Sequence, residues 1–167
     1  MTVKILNFSE DLTQRFALEK ARLTLLLGAD VRIEHVGSSA VGIGGKNIVD
    51  ILIGVPDREA MMKTKNILIQ NGYFSGNDDH ADRVFLASRK EETGENDVHI
   101  HICPIDSATF CDFLILRDYL RKHPAIAKSY FDKKKEIAVL AQNNRKEYKR
   151  LKSQYVSKLL EVAKQEK

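Results

Sequence analysis

The sequence predicts an α/β chain of the α+β type, a mixed sheet with flanking helices followed by a C-terminal helical appendage. Three observations carry this. Helical and strand periods interleave to about residue 107, a β-branched run at positions 48–55 has the character of a buried central strand, and beyond Pro104 only helical spacing remains. The expected division is a core of residues 1–107 with an appendage of residues 108–167 packed upon it.

The elements follow in order. Asp11 to Leu27 places Leu12, Phe16, Leu18, Leu23, Leu26 and Leu27 at helical spacing, with Ser9 as the expected cap and Gly28 as the stop. Val31–Val36 alternates apolar and polar residues as a half-exposed strand does. The small residues from Gly37 to Lys46 read as a flexible loop, and Ile48–Val55 as a buried strand. Arg58–Asn71 is an expected helix ended by Gly72. Strands at Arg83–Ser88 and Asp97–Cys103 flank a polar loop, Arg89–Asn96. Thr109–Lys122 and Ala125–Leu140 are helical runs divided at His123-Pro124, and Glu147–Lys164 is amphipathic, with Tyr148, Leu151, Tyr155, Leu159 and Val162 on one stripe.

Composition narrows the function. At 43% hydrophobic and 30% charged, with 9 Gly and 3 Pro, the 167 residues exclude a disordered or collagenous chain. No apolar run approaches the roughly 18–20 residues that span a bilayer, so no membrane partner is expected. The start is too polar for a signal peptide, and Cys103 and Cys111 are expected as reduced thiols in a cytoplasmic protein. From Asp112 onward 15 Lys and Arg face 7 Asp and Glu, a surplus of +8 on a body carrying −4. That asymmetry is read two ways: an anionic partner, or lysines and arginines solvating the outer faces of helices.

The chemistry concentrates in positions 35–55. A strand ends in Gly37-Ser38-Ser39, and the next strand carries one carboxylate, Asp50, inside an apolar run. Burying a carboxylate is costly, so Asp50 calls for a cation, a metal or a set of N–H donors. The Gly-Ser turn offers backbone donors and hydroxyls to an anion, with Lys46 as an added positive charge. The competing reading is a solvated turn beside a structural acid. Asp97, His99 and His101 alternate along one strand and so share a face about 6.5–7 Å apart, a spacing that suits a shared ion or a partly exposed polar face. Mixed oxygen and nitrogen donors favour Mn²⁺ or Zn²⁺ over Mg²⁺. His35 is expected to support the turn.

The order Gly37-Ser38, then Asp50-Ile51-Leu52-Ile53, resembles the opening motif of the nucleotidyltransferase superfamily, hG[GS] followed by D-h-[DE]-h. That resemblance implies a nucleotidyltransferase-like sheet and a two-metal site for phosphoryl transfer, but Leu52 stands where the second carboxylate belongs. Nearly the whole chain also resembles the GrpB family. Ile33–Val41 matches its hEHVGSTSV, Lys46–Leu52 its KPIIDIL, Asn71-Gly72-Tyr73 its LGY and Val98–His101 its HLHV. Leu116–Arg121 with His123-Pro124 matches FRDYLRxHP, and Tyr130 with Lys134 and Tyr148 with Lys152 match two YxxxK pairs. The loop at Gly42-Ile43-Gly44 is one residue shorter than the family's, Asn47 replaces a proline and Leu116 a phenylalanine. Fusion of this domain to dephospho-CoA kinase in some bacteria implies nucleotide or coenzyme A chemistry.

The expected function is thus binding of a nucleotide or phosphorylated small molecule, with metal-dependent nucleotidyl transfer as the reaction. Gly37, Ser38, Ser39, Lys46, Arg83, Tyr130 and Lys134 are the candidate phosphate or nucleotide ligands. Asp50, His99 and His101 are the candidate catalytic groups, and Asp50, Asp97, His99 and His101 the candidate ligands for a divalent Mg, Mn or Zn ion. The alternative is a non-catalytic nucleotide- or coenzyme-binding or partner-docking module that has lost a carboxylate. RNA binding ranks last, because aromatic platforms and a recognisable RNA motif are missing from the sequence.

Overall fold

The computed structural model describes residues 4–76, 80–89, 94, 96–142 and 144–166. In chain order the elements are α1 (Asp11–Leu27), β1 (Arg32–Val36), α2 (Gly37–Val41), β2 (Val49–Val55), α3 (Arg58–Gln70), β3 (Phe74–Ser75), β4 (Val84–Arg89), β5 (Asn96–Pro104), α4 (Ala108–Lys122), α5 (Pro124–Leu140) and α6 (Arg145–Gln165). The five strands form one mixed sheet in the order β1-β2-β5-β4-β3, with β2 and β5 parallel at its centre and the other pairs antiparallel.

The helices and longer strands form where the sequence period places them, and two local expectations change. The stretch from Gly37 to Val41 is a short helix rather than a loop, closed by Gly42 at φ +79°. Ser9 does not cap α1 with its side chain; its carbonyl accepts from the Leu12 N–H and its hydroxyl bonds Asp11. The expected loop between the last two strands includes positions 90–93 and 95, which lie outside the described residues.

The two faces of the sheet have different cover. Val49, Ile51, Ile53 and Val55 of β2 and Val98, Ile100 and Ile102 of β5 turn one way, into a core closed by Leu12 and Leu23 of α1 and Met61 and Leu68 of α3. Leu18, expected on that apolar stripe, is 66% exposed. The alternate residues turn the other way. There Leu52 and Cys103 pack with Val36 and Phe110, bringing α4 onto the sheet. Helices α5 and α6 extend this layer, Ala127 and Tyr130 of α5 and Leu159 of α6 packing with Tyr119 and Leu120 of α4. Val162 departs from the predicted stripe and is exposed, Ala163 being buried instead. Arg117 fastens α4 to β1, donating to Glu34 at 2.8 Å and to the His35 carbonyl at 3.2 Å as well as pairing with its neighbour Asp118. Both cysteines are free thiols. Among the described residues no helix is long and apolar enough to cross a membrane.

Candidate functional site

The site lies on the second face, where the β2 chain enters the sheet. Period two turns Asp50 away from the apolar core that Val49 and Ile51 occupy. Parallel pairing sets Asp50 level with His99 on β5, and the His99 Nδ1–H donates to Asp50 Oδ1 at 3.1 Å. Asn96 Nδ2 lies 3.2 Å from the other ring nitrogen. On the opposite side stands Gly37, with φ +69°; a Cβ there would lie 2.5 Å from Asp50 Oδ2. The glycine expected to cradle phosphate therefore admits the carboxylate itself. Burial acts to raise the Asp50 pKa, but the His99 hydrogen bond and the charges of His99, His101 and Lys152 more than offset it and hold the group at about 2.

Around this carboxylate is a cavity of about 80 Å³, lined by Ser38, Ser39, Asp50, His99 and Tyr148 and by the ammonium-bearing chains of Lys46, Lys134 and Lys152. The lysines come from three places: the segment before β2, the middle of α5 and the second turn of α6. Lys134 is 2% exposed. Its ammonium donates to Ser38 Oγ at 2.7 Å and to the Gly44 carbonyl, and lies 4.8 Å from the Tyr130 ring centre. Burial and the nearby Lys152 charge push its pKa down to about 7 against the pull of Asp50. Lys46, at the rim, lies 4.9 Å over the Tyr148 ring; desolvation and the charges of Lys152, Arg145 and Lys149 push it down to about 8. Ser39 is held by His35, whose Nε2 is 2.9 Å from its hydroxyl, so His35 supports the turn as expected. That ring stacks on Phe16 at 4.3 Å, and its burial pushes the pKa down to about 4.

Several expected ligands stand elsewhere. The Asp97 carboxylate pairs with Arg15 of α1 and does not orient an imidazole. His101 shares the face of His99 but lies between the Phe85 and Phe113 rings, 5.3 and 4.7 Å away. Arg83 precedes β4 near Cys103 and the far end of β5, because Val84 is paired with Ile102 rather than with His99. Tyr130 is buried against Tyr155 and supports Lys134 instead of offering a ring to a base. Among the described residues no three His, Cys, Asp or Glu side chains come together as a metal-binding group. Lys152 stands outside the candidate ligand set, but its i, i+4 relation to Tyr148 repeats that of Lys134 to Tyr130, a spacing that can set an ammonium beside a phosphate.

Residues 2–162 match the GrpB protein family over almost the full chain. The chain belongs to that family. Its relatives include the UPF0157 protein YqkA of Bacillus subtilis (strain 168), 30% identical over 97% of this chain and 47% of that protein. The glutamate-rich protein GrpB of Alkalihalophilus pseudofirmus is 28% identical over 95% of this chain and 94% of that one. The chain thus spans about half the length of YqkA and nearly all of the second relative. The solved structure of conserved protein GrpB from Enterococcus faecalis superposes with a TM-score of 0.82 at 25% identity over 96% of both chains. The Cid1 poly(U) polymerase, in its MgGTP-bound form, gives a TM-score of 0.50 at 18% identity over 69% of this chain and 38% of that one. A cytoplasmic RNA terminal U-transferase gives 0.54 at 14% over 77% and 41%. These last two show that this GrpB chain has a nucleotidyltransferase-like fold.

Proposed function

We propose that this GrpB protein binds a nucleotide or another phosphorylated small molecule in the cavity above Asp50. The observation that carries this is the charge of the wall: Lys46, Lys134 and Lys152 surround one carboxylate and two serines. Ammonium and hydroxyl donors converging on a small recess suit phosphate oxygens. The nucleotidyltransferase-like fold supports nucleotides as the class to test, and nucleotidyl transfer to a small acceptor as the reaction. In that reaction the Asp50–His99 pair is the group placed to hold or move a proton beside the bound phosphate.

The donor set does not fit the two-metal centre that the fold suggests. Leu52 occupies the second acidic position, and Asp50 is already bonded to His99 among three ammonium groups. The same leucine favours a second reading, a binding module without turnover. Thermal melts with ATP, CTP and coenzyme A, each with and without Mg²⁺ or Mn²⁺, test the proposal. A ligand at 100 times its Kd stabilises by about 2.7 kcal/mol, and a rise of several degrees is expected with at least one of them. No shift with any compound at millimolar concentration would remove the proposal. Release of pyrophosphate under the same conditions separates the enzyme from the module.

A further inference from the structure

A pair of divalent ions needs an excess of carboxylates, because the protein must offset positive charge that the phosphates alone do not balance. This cavity has the opposite balance. Among the described residues its lining contains one carboxylate and three lysines. Behind Lys46, the charges of Arg145 and Lys149 add to the positive field. Leu52, two residues along the face from Asp50, is fully buried with Val36, Cys103 and Phe110. Asp50 turns one oxygen to His99 and the other to the Gly37 backbone. An ion brought to Asp50 would meet a carboxylate with one oxygen already bonded to the imidazole, and would stand among like charges.

We propose that in this protein the lysine cluster takes the place of divalent metal: Ser38, Lys46, Lys134 and Lys152 bind the phosphate chain of the ligand directly and metal-free, with Asp50 as the counter-charge that partly offsets their repulsion until the ligand arrives. This rests on the reading of the cavity as a phosphate site. The ammonium groups are placed in advance, Lys134 by Ser38, Gly44 and the Tyr130 ring and Lys46 by the Tyr148 ring. Close placement of three cations raises the energy of the free site, and an arriving polyanion removes that repulsion, so charge complementarity is concentrated on binding. The donors of the wall set the ligand class. The ammonium and hydroxyl groups of the wall match phosphate oxygens, so the phosphate chain is the part of the ligand that this cluster recognises. Inorganic triphosphate should then bind about as well as ATP.

Isothermal titration of the full chain with ATP and with inorganic triphosphate, in EDTA and again in excess Mg²⁺ or Mn²⁺, tests this. The expected result is binding of both in EDTA at least as tight as with metal. Lys152→Met and Lys46→Met, at partly exposed positions, should each weaken it about tenfold, the loss of one charge-assisted contact. Asp50→Asn should tighten binding in EDTA several-fold by removing the negative charge from the cavity, whereas a metal ligand at that position would make the same variant lose metal-dependent affinity. Circular dichroism of each variant separates lost contacts from lost fold. Binding that is tenfold or more tighter with metal and is abolished in Asp50→Asn overturns the metal-free proposal and leaves the phosphate reading standing. Failure of both probes in every condition overturns both.

Discussion

The two faces of β2 are built from alternate residues of one seven-residue strand and do different work. Val49, Ile51, Ile53 and Val55 are at most 3% exposed and pack into the apolar core that α1 and α3 close. On the other side Asp50 meets an imidazole, a glycine backbone and the lysines, and Leu52 returns to apolar packing one step further on. The first face is redundant, many side chains sharing one task. The second is singular, with each polar group held by particular partners from distant parts of the chain. Changes to the first face should therefore show in stability and leave the chemistry of the folded protein intact, and changes to the second should show in the chemistry of the site as well as in stability.

The largest effect expected from breaking this division is Ile51→Ala. The side chain has no exposed surface, and emptying such a site costs about 2–5 kcal/mol. Urea denaturation reads the loss directly. Ligand affinity of the protein still folded should match the parent's; a tenfold drop in that affinity would show that the two faces are not separable.

Next comes the acid limb of Asp50. Its pKa falls from the ordinary 3.8 to about 2 in the folded chain. A depressed carboxylate contributes stability that is fully present above 3.8 and lost as pH drops through about 2. The shift corresponds to about 2 kcal/mol. Denaturation midpoints measured from pH 5 down to pH 2 should fall in the parent and show a shallower fall in Asp50→Asn. Parallel curves for the two proteins would remove Asp50 from the acid sensitivity.

Much of the apolar face was legible in the sequence, and less of the polar one, for reasons tied to distance along the chain. The period of α1 from Asp11 to Leu27 and the β-branched run through β2 are local signals, and the structure follows them to within a residue. Asp50 and the Gly37-Ser38 turn were legible as local exceptions, an acid in an apolar run after a turn. The short helix α2 was not, since Gly-Ser-Ser reads as turn and the helix owes its form to packing against β2 and α4. Strand β3 has two residues and exists through its pairing with β4. The Arg15–Asp97 pair joins positions 82 apart, and no pattern in either segment announces it. Lys134 and Tyr130 were visible through family resemblance, but which of them faces the cavity and which supports it is decided by the packing of α5 on α2 and α6, not by their spacing.

A smaller effect should follow from Gly37→Ala, which tests how the polar face is held. A left-handed conformation costs a non-glycine residue about 1–2 kcal/mol. The new methyl group would also push on Asp50 Oδ2, the atom closest to it. Thermal melts should show the cost, and the imidazole resonances of His99 should shift as its carboxylate partner moves. An unshifted His99 would mean that the glycine serves the backbone alone and not the site.

The smallest signal expected is a proton count, and it addresses the lysines without mutating them. In the folded chain Lys46 and Lys134 lie at about 8 and about 7 instead of 10.5, from desolvation first and repulsion by the Lys152 charge second. The unfolded chain keeps both protons up to about 10.5, so this contribution to stability is present above that pH and lost as pH falls through the folded values. A bound polyanion reverses the repulsion and raises both pKa values. Titration at pH 8 in Tris and in HEPES should therefore give different apparent enthalpies, equivalent to uptake of a fraction of a proton up to about one per ligand. Proton uptake by the lysines should be smaller near pH 6, where both groups already carry most of their protons. An enthalpy independent of buffer at pH 8 would place the ligand's charge away from Lys46 and Lys134, on the outer rim of α6 rather than against the face that carries Asp50.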